Sequence, residues 1–148
     1  MKVKSKVHFF FQSKMRLTDR TRIKTFLTIL FKKEKKIMKC LTYVFCSDEY
    51  LLKINQTFLK HNYYTDVLTF DLSETSKIIE GEIYISVDRV KENSKGLKVN
   101  ANLEFLRVIF HGALHLCGYN DKTKLQKKEM WKKENECLFH YSMFHVKH

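Results

Sequence analysis

Apolar and polar positions change their period several times along the chain, and each change marks an element. Val7 to Phe11 is a compact, largely aromatic run, as a first strand requires. After Thr18 and Asp19, either of which can cap a helix, Ile23, Phe26, Leu27 and Leu30 recur at helical spacing and form one apolar face. Cys40 to Cys46 is β-branched and aromatic and predicts a second strand. Ser47 opens a short helix with Asp48 and Glu49 in its first turn, where negative charge suits the helix dipole. Leu51, Leu52, Ile54 and Phe58 are its expected buried side.

Asp66 to Asp71 and Glu82 to Val87 read as two more strands, separated by a polar segment from Ser73 to Lys77. A helix is expected to begin near Asp88 and break around Gly96. The next starts near Asn100 or Asn102, carries Leu103, Leu106, Val108, Ile109, Leu114 and Leu116, and stops at Gly118, a residue suited to a left-handed C-terminus. Thr123 can cap a last helix containing Leu125, Met130, Trp131 and Leu138. Helices alternating with about four strands predict an α+β fold, a small mixed sheet packed with helices. No linker-like stretch, internal repeat or low-complexity tract divides the 148 residues, so residues 1–148 are expected to form a single domain.

Composition narrows the classes of function. A formal net charge of +12 suits a polyanionic partner such as RNA, DNA or an acidic surface. With 23 lysines against five arginines, a biased genome composition explains the charge equally well. Four cysteines, none in a Cys-x-x-Cys pair, predict reduced thiols in a cytosol and exclude a zinc ribbon or a disulfide framework. The apolar stretch within Met1 to Phe11 is too short for a signal-peptide core. Phe26 to Phe31 is bracketed by lysines and falls well short of the ~20 apolar residues of a membrane span. A soluble cytoplasmic protein is expected, with no membrane partner and no nucleotide cofactor.

The chemistry is concentrated in His111-Gly112-Ala113-Leu114-His115-Leu116-Cys117-Gly118-Tyr119-Asn120-Asp121. Two histidines four apart on a helix share a face, with β-carbons roughly 5–6 Å apart, so both imidazoles can reach one metal ion. Gly118 ends the helix and lets the chain return Asp121 toward the same point. Two imidazoles and a carboxylate form a set that zinc accepts, with a position left for water, whose pKa a bound metal lowers from about 15.7 to about 7. The histidine pair alone is more often a pair of buried polar residues than of ligands; the glycine and the carboxylate bring the metal reading level with it. This is not the zinc-protease pattern His-Glu-x-x-His, because Gly112 stands where that motif places its general base.

The segment resembles the signature of the YbeY-type rRNA-maturation endoribonucleases, His-Gly-x-Leu-His-Leu-x-Gly-Tyr-Asp-His. It matches at His111, Gly112, Leu114, His115, Leu116, Gly118 and Tyr119, with Asn120 and Asp121 at the family's Asp and third His. Downstream, Met130 and Glu134 are similar to the family's Met-x-x-x-Glu. Upstream, Asn55 and Phe58, then Thr65-Asp66-Val67-Leu68-Thr69-Phe70, resemble its Asn-x-x-Tyr-Arg…Thr-Asp-Val-Leu-Ser-Phe block. Gly81-Glu82-Ile83-Tyr84-Ile85-Ser86 is similar to its Gly-Asp-Ile-x-Ile-Ser strand, and Leu106-Arg107-Val108 precedes His111 as in the family. The ordered blocks span roughly Asn55 to Leu138.

The resemblance implies a zinc-dependent endoribonuclease specific for single strands, acting in small-subunit rRNA 3′-end maturation and ribosome quality control. It also implies an α+β fold with a mixed four-stranded sheet, a zincin-like metal helix and a basic cleft. On that basis one Zn2+ per chain is expected on His111, His115 and Asp121, with His111 and His115 as the catalytic pair and other divalent metals competing. The expected partners are rRNA and the ribosomal small subunit. The family's phosphate-clamping arginine falls on Leu59, leaving Lys60 or His61 beside it as candidates for that contact.

The remaining singled-out residues have plainer readings. Asp66 is expected to be a strand-edge or turn carboxylate, Thr65 and Thr69 structural, and Cys117 a buried spectator thiol. His140, His145 and His148 are expected in a solvated tail, and Trp131 in core or groove packing. The rival functions are a metallopeptidase-like hydrolase, a non-enzymatic ribosome-associated RNA-binding protein, and an iron oxygenase with two histidines and one carboxylate.

Overall fold

The computed structural model describes residues 6–145; His148, read from the sequence as part of a solvated tail, lies outside the described residues. The elements are β1 (Val7–Phe11), α1 (Arg20–Lys33), β2 (Ile37–Cys46), α2 (Asp48–Leu59), β3 (Val67–Asp71), β4 (Ile78–Ser86), α3 (Val87–Leu97), α4 (Ala101–Leu116) and α5 (Lys124–Met143). The strands form one mixed sheet in the order β1-β2-β4-β3, with β1, β2 and β4 parallel and β3 antiparallel at the edge. This is the expected α+β architecture.

Strand alternation divides the apolar residues between two layers. Leu41, Tyr43 and Phe45 of β2, with Ile79, Ile83 and Ile85 of β4, face the larger core, which α1, α3, α4 and α5 cover. Val44 and Cys46 point the other way, into a smaller cluster with Leu51 and Ile54 of α2 and Leu68 of β3. The helix starts follow local chemistry. The Ser47 and Asn100 side chains accept from the backbone N–H groups of Tyr50 and Asn102. Thr123 and Gln126 make a reciprocal capping box.

Several expectations need correction. Phe58 is 69% exposed, and Asn55 instead fills the buried side of α2. Leu103, Leu125 and Trp131 are exposed, Trp131 at 60%, so it packs in no core. Asp19 is the α1 cap position but adopts a left-handed conformation and makes no side-chain cap bond. β2 and β4 start earlier than expected, at Ile37 and Ile78, because they extend each other's parallel ladder. Val87 belongs to α3, not to the strand before it, since Ser86 caps that helix. α3 ends at Leu97, beside the expected break at Gly96, although it is Lys98 and not the glycine that takes the left-handed turn. His140 lies within α5, not in a tail.

Two glycines set how α4 meets the sheet. A β-carbon on Gly112 would lie 2.8 Å from Cδ1 and Cγ2 of Ile83, which is fully buried on β4. A β-carbon on Gly81 of β4 would lie 2.6 Å from Cδ1 of Leu116. Each glycine therefore seats a branched side chain of the opposite element, Ile83 of β4 against Gly112 and Leu116 of α4 against Gly81. The buried Tyr43 hydroxyl adds a third tie, donating to the Ile109 carbonyl at 2.7 Å.

Replacing Gly112 with Ala is expected to destabilise the fold by about 1–3 kcal/mol through overpacking, more than the ~1 kcal/mol that alanine's helix preference returns. Gly96, whose β-carbon would meet nothing within 4 Å, provides the contrast: Gly96→Ala should stabilise α3 by up to about 1 kcal/mol. Urea denaturation of both variants checks the pair; a stabilised Gly112→Ala protein would refute the close-approach argument.

Candidate metal centre

α4 presents one stripe to a cavity of about 630 Å³ between itself, β3 and the middle of α5 at Glu134. Glu104, Arg107, His111 and His115 follow each other at three- and four-residue steps, with Val108 beside them, so they share that face. After α4 the chain turns through Gly118, whose φ of +109° is strained for any residue with a β-carbon. The turn returns Asp121 to the same cavity.

The three expected ligands converge. One Asp121 oxygen, Oδ2, lies 3.4 Å from His111 Nε2 and 3.2 Å from His115 Nε2. The imidazole rings are 4.6 Å apart and nearly perpendicular. One ligand atom from each of His111, His115 and Asp121 falls within 4.8 Å of the others, a spacing at which a single ion can join all three. Cys117 stays out of the group; it is buried, and burial pushes its thiol up to about 12.

Behind the ligands stands a set of charged side chains from α4 and α5. Glu134 of α5 is buried, and its Oε2 lies 2.7 Å from His111 Nδ1. Its other oxygen accepts from Arg107 Nη1 at 3.1 Å, and Arg107 Nη2 donates to Asn135 Oδ1 at 2.8 Å. Glu134 thereby fixes the His111 ring and turns Nε2 toward Asp121, the carboxylate–histidine arrangement that orients metal ligands. Burial works against a charged His111. The hydrogen bond and charge of Glu134, joined by Asp121 and Asp66, outweigh it and hold the imidazole's pKa above its ordinary value. A cation binding there competes with a proton for the imidazole.

Asp66 is more than a strand-edge carboxylate. It lines the cavity, and burial raises its pKa although the nearby His111 charge pulls the other way. Glu104, seven residues before His111, is buried in the same wall, and burial raises its carboxyl as well. A signal for Glu104 and Arg107 was present in the helical stripe through His111. Glu134 stood in the Met-x-x-x-Glu likeness without a role. The Leu59 side chain lines the cavity, whereas Lys60 occupies the left-handed end of α2 and His61 stacks on Tyr63; neither is among the cavity-lining residues. The cationic side chains that do line it are Arg107 and Lys122.

Comparison with known proteins agrees with this geometry. The family model described as Endoribonuclease YbeY matches residues 9–142. Among curated relatives, the endoribonuclease YbeY of Cytophaga hutchinsonii is 47% identical over 138 residues, covering 92% of this chain and 96% of its own. That of Karelsulcia muelleri is 41% identical, covering 90% and 94%. A solution structure from Thermotoga maritima superposes with a TM-score of 0.67 at 28% identity, over 91% of this chain and 88% of that one.

Glu134→Gln keeps the side chain's shape but removes the charge behind His111. It should weaken zinc affinity roughly 10–100-fold, read by competition with a chromophoric chelator. Unchanged affinity would mean that Glu134 does not orient the ligand.

Proposed function

The chain belongs to the endoribonuclease YbeY family, and on that footing we propose that residues 1–148 form one metal-dependent domain that hydrolyses single-stranded RNA. His111, His115 and Asp121 hold one zinc ion, and the two histidines are the catalytic pair. The observation that carries this reading is the meeting of two imidazole nitrogens and one carboxylate oxygen within 4.8 Å in an open cavity. The donor set fits zinc, which takes nitrogen and oxygen ligands and leaves a position for water in catalytic sites.

When bound, zinc supplies Lewis acidity: it polarises a phosphoryl oxygen and brings a water ligand toward a pKa of about 7. The protein's own residues do the rest. Glu134 holds His111 in one tautomer and orientation, and Arg107 holds Glu134. Lys122, at the cavity wall beside Asp121, supplies positive charge to the incoming phosphodiester. Of the five carboxylates in the wall (Asp66, Asp71, Glu104, Asp121 and Glu134), only Asp121 is a ligand.

We assign the substrate more narrowly to the small-subunit rRNA 3′ end, with a role in ribosome quality control and a cytoplasmic location. The family resemblance and the +12 charge support this. Among the described residues no helix is long and apolar enough to cross a membrane. A metallopeptidase reading is disfavoured by packing: a glutamate at position 112 would start with a β-carbon already in contact with Ile83.

His111→Ala should abolish cleavage of a single-stranded rRNA 3′ fragment and reduce bound zinc from one per chain to substoichiometric levels by mass spectrometry. Circular dichroism should remain that of the folded protein. Full cleavage by the purified variant would defeat the assignment. RNA bound tightly but left uncut by the zinc-loaded wild type would favour the non-enzymatic binding module. RNA affinity should also fall steeply with salt, the logarithm of the binding constant dropping linearly with that of salt concentration; a flat dependence would count against backbone recognition by the lysines.

A further inference from the structure

We propose that Tyr63 and Tyr64 form a base-stacking subsite for the unpaired nucleotides flanking the scissile phosphate. The inference rests on the single-stranded RNA reading above and deepens it. Leu59 and Thr65 both line the metal cavity, so residues 60–64 leave the cavity rim and return to it. The segment carries two tyrosines that are 57% and 49% exposed, although tyrosine rings usually bury most of their surface.

These rings are exposed but not loose. Buried Asn55 of α2 donates through Nδ2 to the Tyr63 carbonyl at 3.0 Å, and its own carbonyl accepts from the His61 N–H at 3.1 Å. The Tyr63 ring stacks on His61 with centroids 5.2 Å apart and planes 20° apart, and its hydroxyl is bonded to His61 Nδ1 at 3.0 Å. Arg89 lies over the Tyr64 ring, 5.2 Å from its centre. That guanidinium is itself fixed: Arg89 Nη2 donates to Asp48 Oδ2 at 2.7 Å, and Ser86 donates to the other Asp48 oxygen at 2.9 Å. Each ring is thus braced by a neighbour while about half its surface stays in water.

A braced aromatic face beside a phosphate-cleaving cavity suits an unpaired base. Stacking on such a face needs no base identity, and preorganisation lowers the entropy lost on binding. Lys60 in the same segment adds positive charge suited to the RNA backbone, while Arg89 is already paired with Asp48 and serves to brace the ring. The subsite would hold the strand in register across the cavity, so that substrate affinity depends on bases and not only on phosphates.

The test uses full-length, zinc-loaded protein and a short single-stranded oligoribonucleotide carrying 2-aminopurine, whose fluorescence is quenched on stacking. Quenching is recorded on mixing, before cleavage advances. The double variant Tyr63→Ala/Tyr64→Ala should bind roughly five- to hundredfold more weakly. In cleavage assays it should raise KM by a similar factor with little change in kcat. Tyr63→Phe/Tyr64→Phe, which keeps both rings, should restore quenching and KM. For an oligonucleotide abasic at the same positions, the alanine variant should lose nothing further. Unchanged quenching and KM in the alanine variant, or an equal loss on abasic RNA, would overturn the subsite, even if that variant lost affinity for some protein partner. Since quenching reads binding and not cutting, an uncleaved but quenched RNA would fault the nuclease reading and leave the subsite standing.

Discussion

The site depends on how closely α4 sits against β4. A helix resting on a sheet is normally held off by the side chains between them, but at Gly112 and Gly81 there is no room for a β-carbon. The first contact lies one residue after His111 and the second is against Leu116, one residue after His115. Each contact therefore sits one residue past a histidine, and together they fix both the height and the rotation of the helix. Interiors packed to crystal-like density transmit small shifts, so a helix lifted by one methyl group would move both imidazoles away from Asp121. Gly112 is then a packing residue, and the absence of a glutamate at that position is a consequence of the same contact.

This explains which parts of the molecule were legible in the sequence. Caps are local: Ser47, Asn100 and Thr123 announce helix starts by bonding to N–H groups two or three residues on, and all three do so. The histidine pair and Asp121 were legible because helical spacing and a glycine stop are local as well. Burial is not local. Phe58, Leu125 and Trp131 follow apolar periodicity, yet no neighbouring element covers them. The Glu134–His111 contact spans 23 residues and two helices, so only the fold brings it about. Asp66 was read from its strand neighbours, but it lines the cavity opposite α4, where burial raises its carboxyl against the pull of the His111 charge.

The electrostatics of the site run against those of the whole chain. The chain carries a formal +12, yet the cavity wall holds Asp66, Asp71, Glu104, Asp121 and Glu134 against Arg107 and Lys122. Arg107 is moreover committed to Glu134 and Asn135. Such a wall attracts a cation and repels a phosphodiester, and a divalent ion among the ligands is what would reverse the local sign. The global lysine charge and the local carboxylates accordingly act at different ranges: the first favours a polyanion near the surface, the second a cation in the cavity.

That division leaves a physical problem at the rim. Long-range attraction from scattered lysines has no register and does not select which phosphate enters the cavity. Leu59, where the family's arginine would reach for a phosphate, provides no charge. What the rim of this chain offers instead is aromatic: Tyr63 and Tyr64, fixed through Asn55, His61 and Arg89 on the segment that joins two cavity-lining residues. Stacking fixes a nucleotide's position without requiring a compensating charge, and it acts at contact distance, where lysine attraction is least discriminating. A chain that lacks a phosphate clamp at position 59 can still position a single strand by gripping its bases.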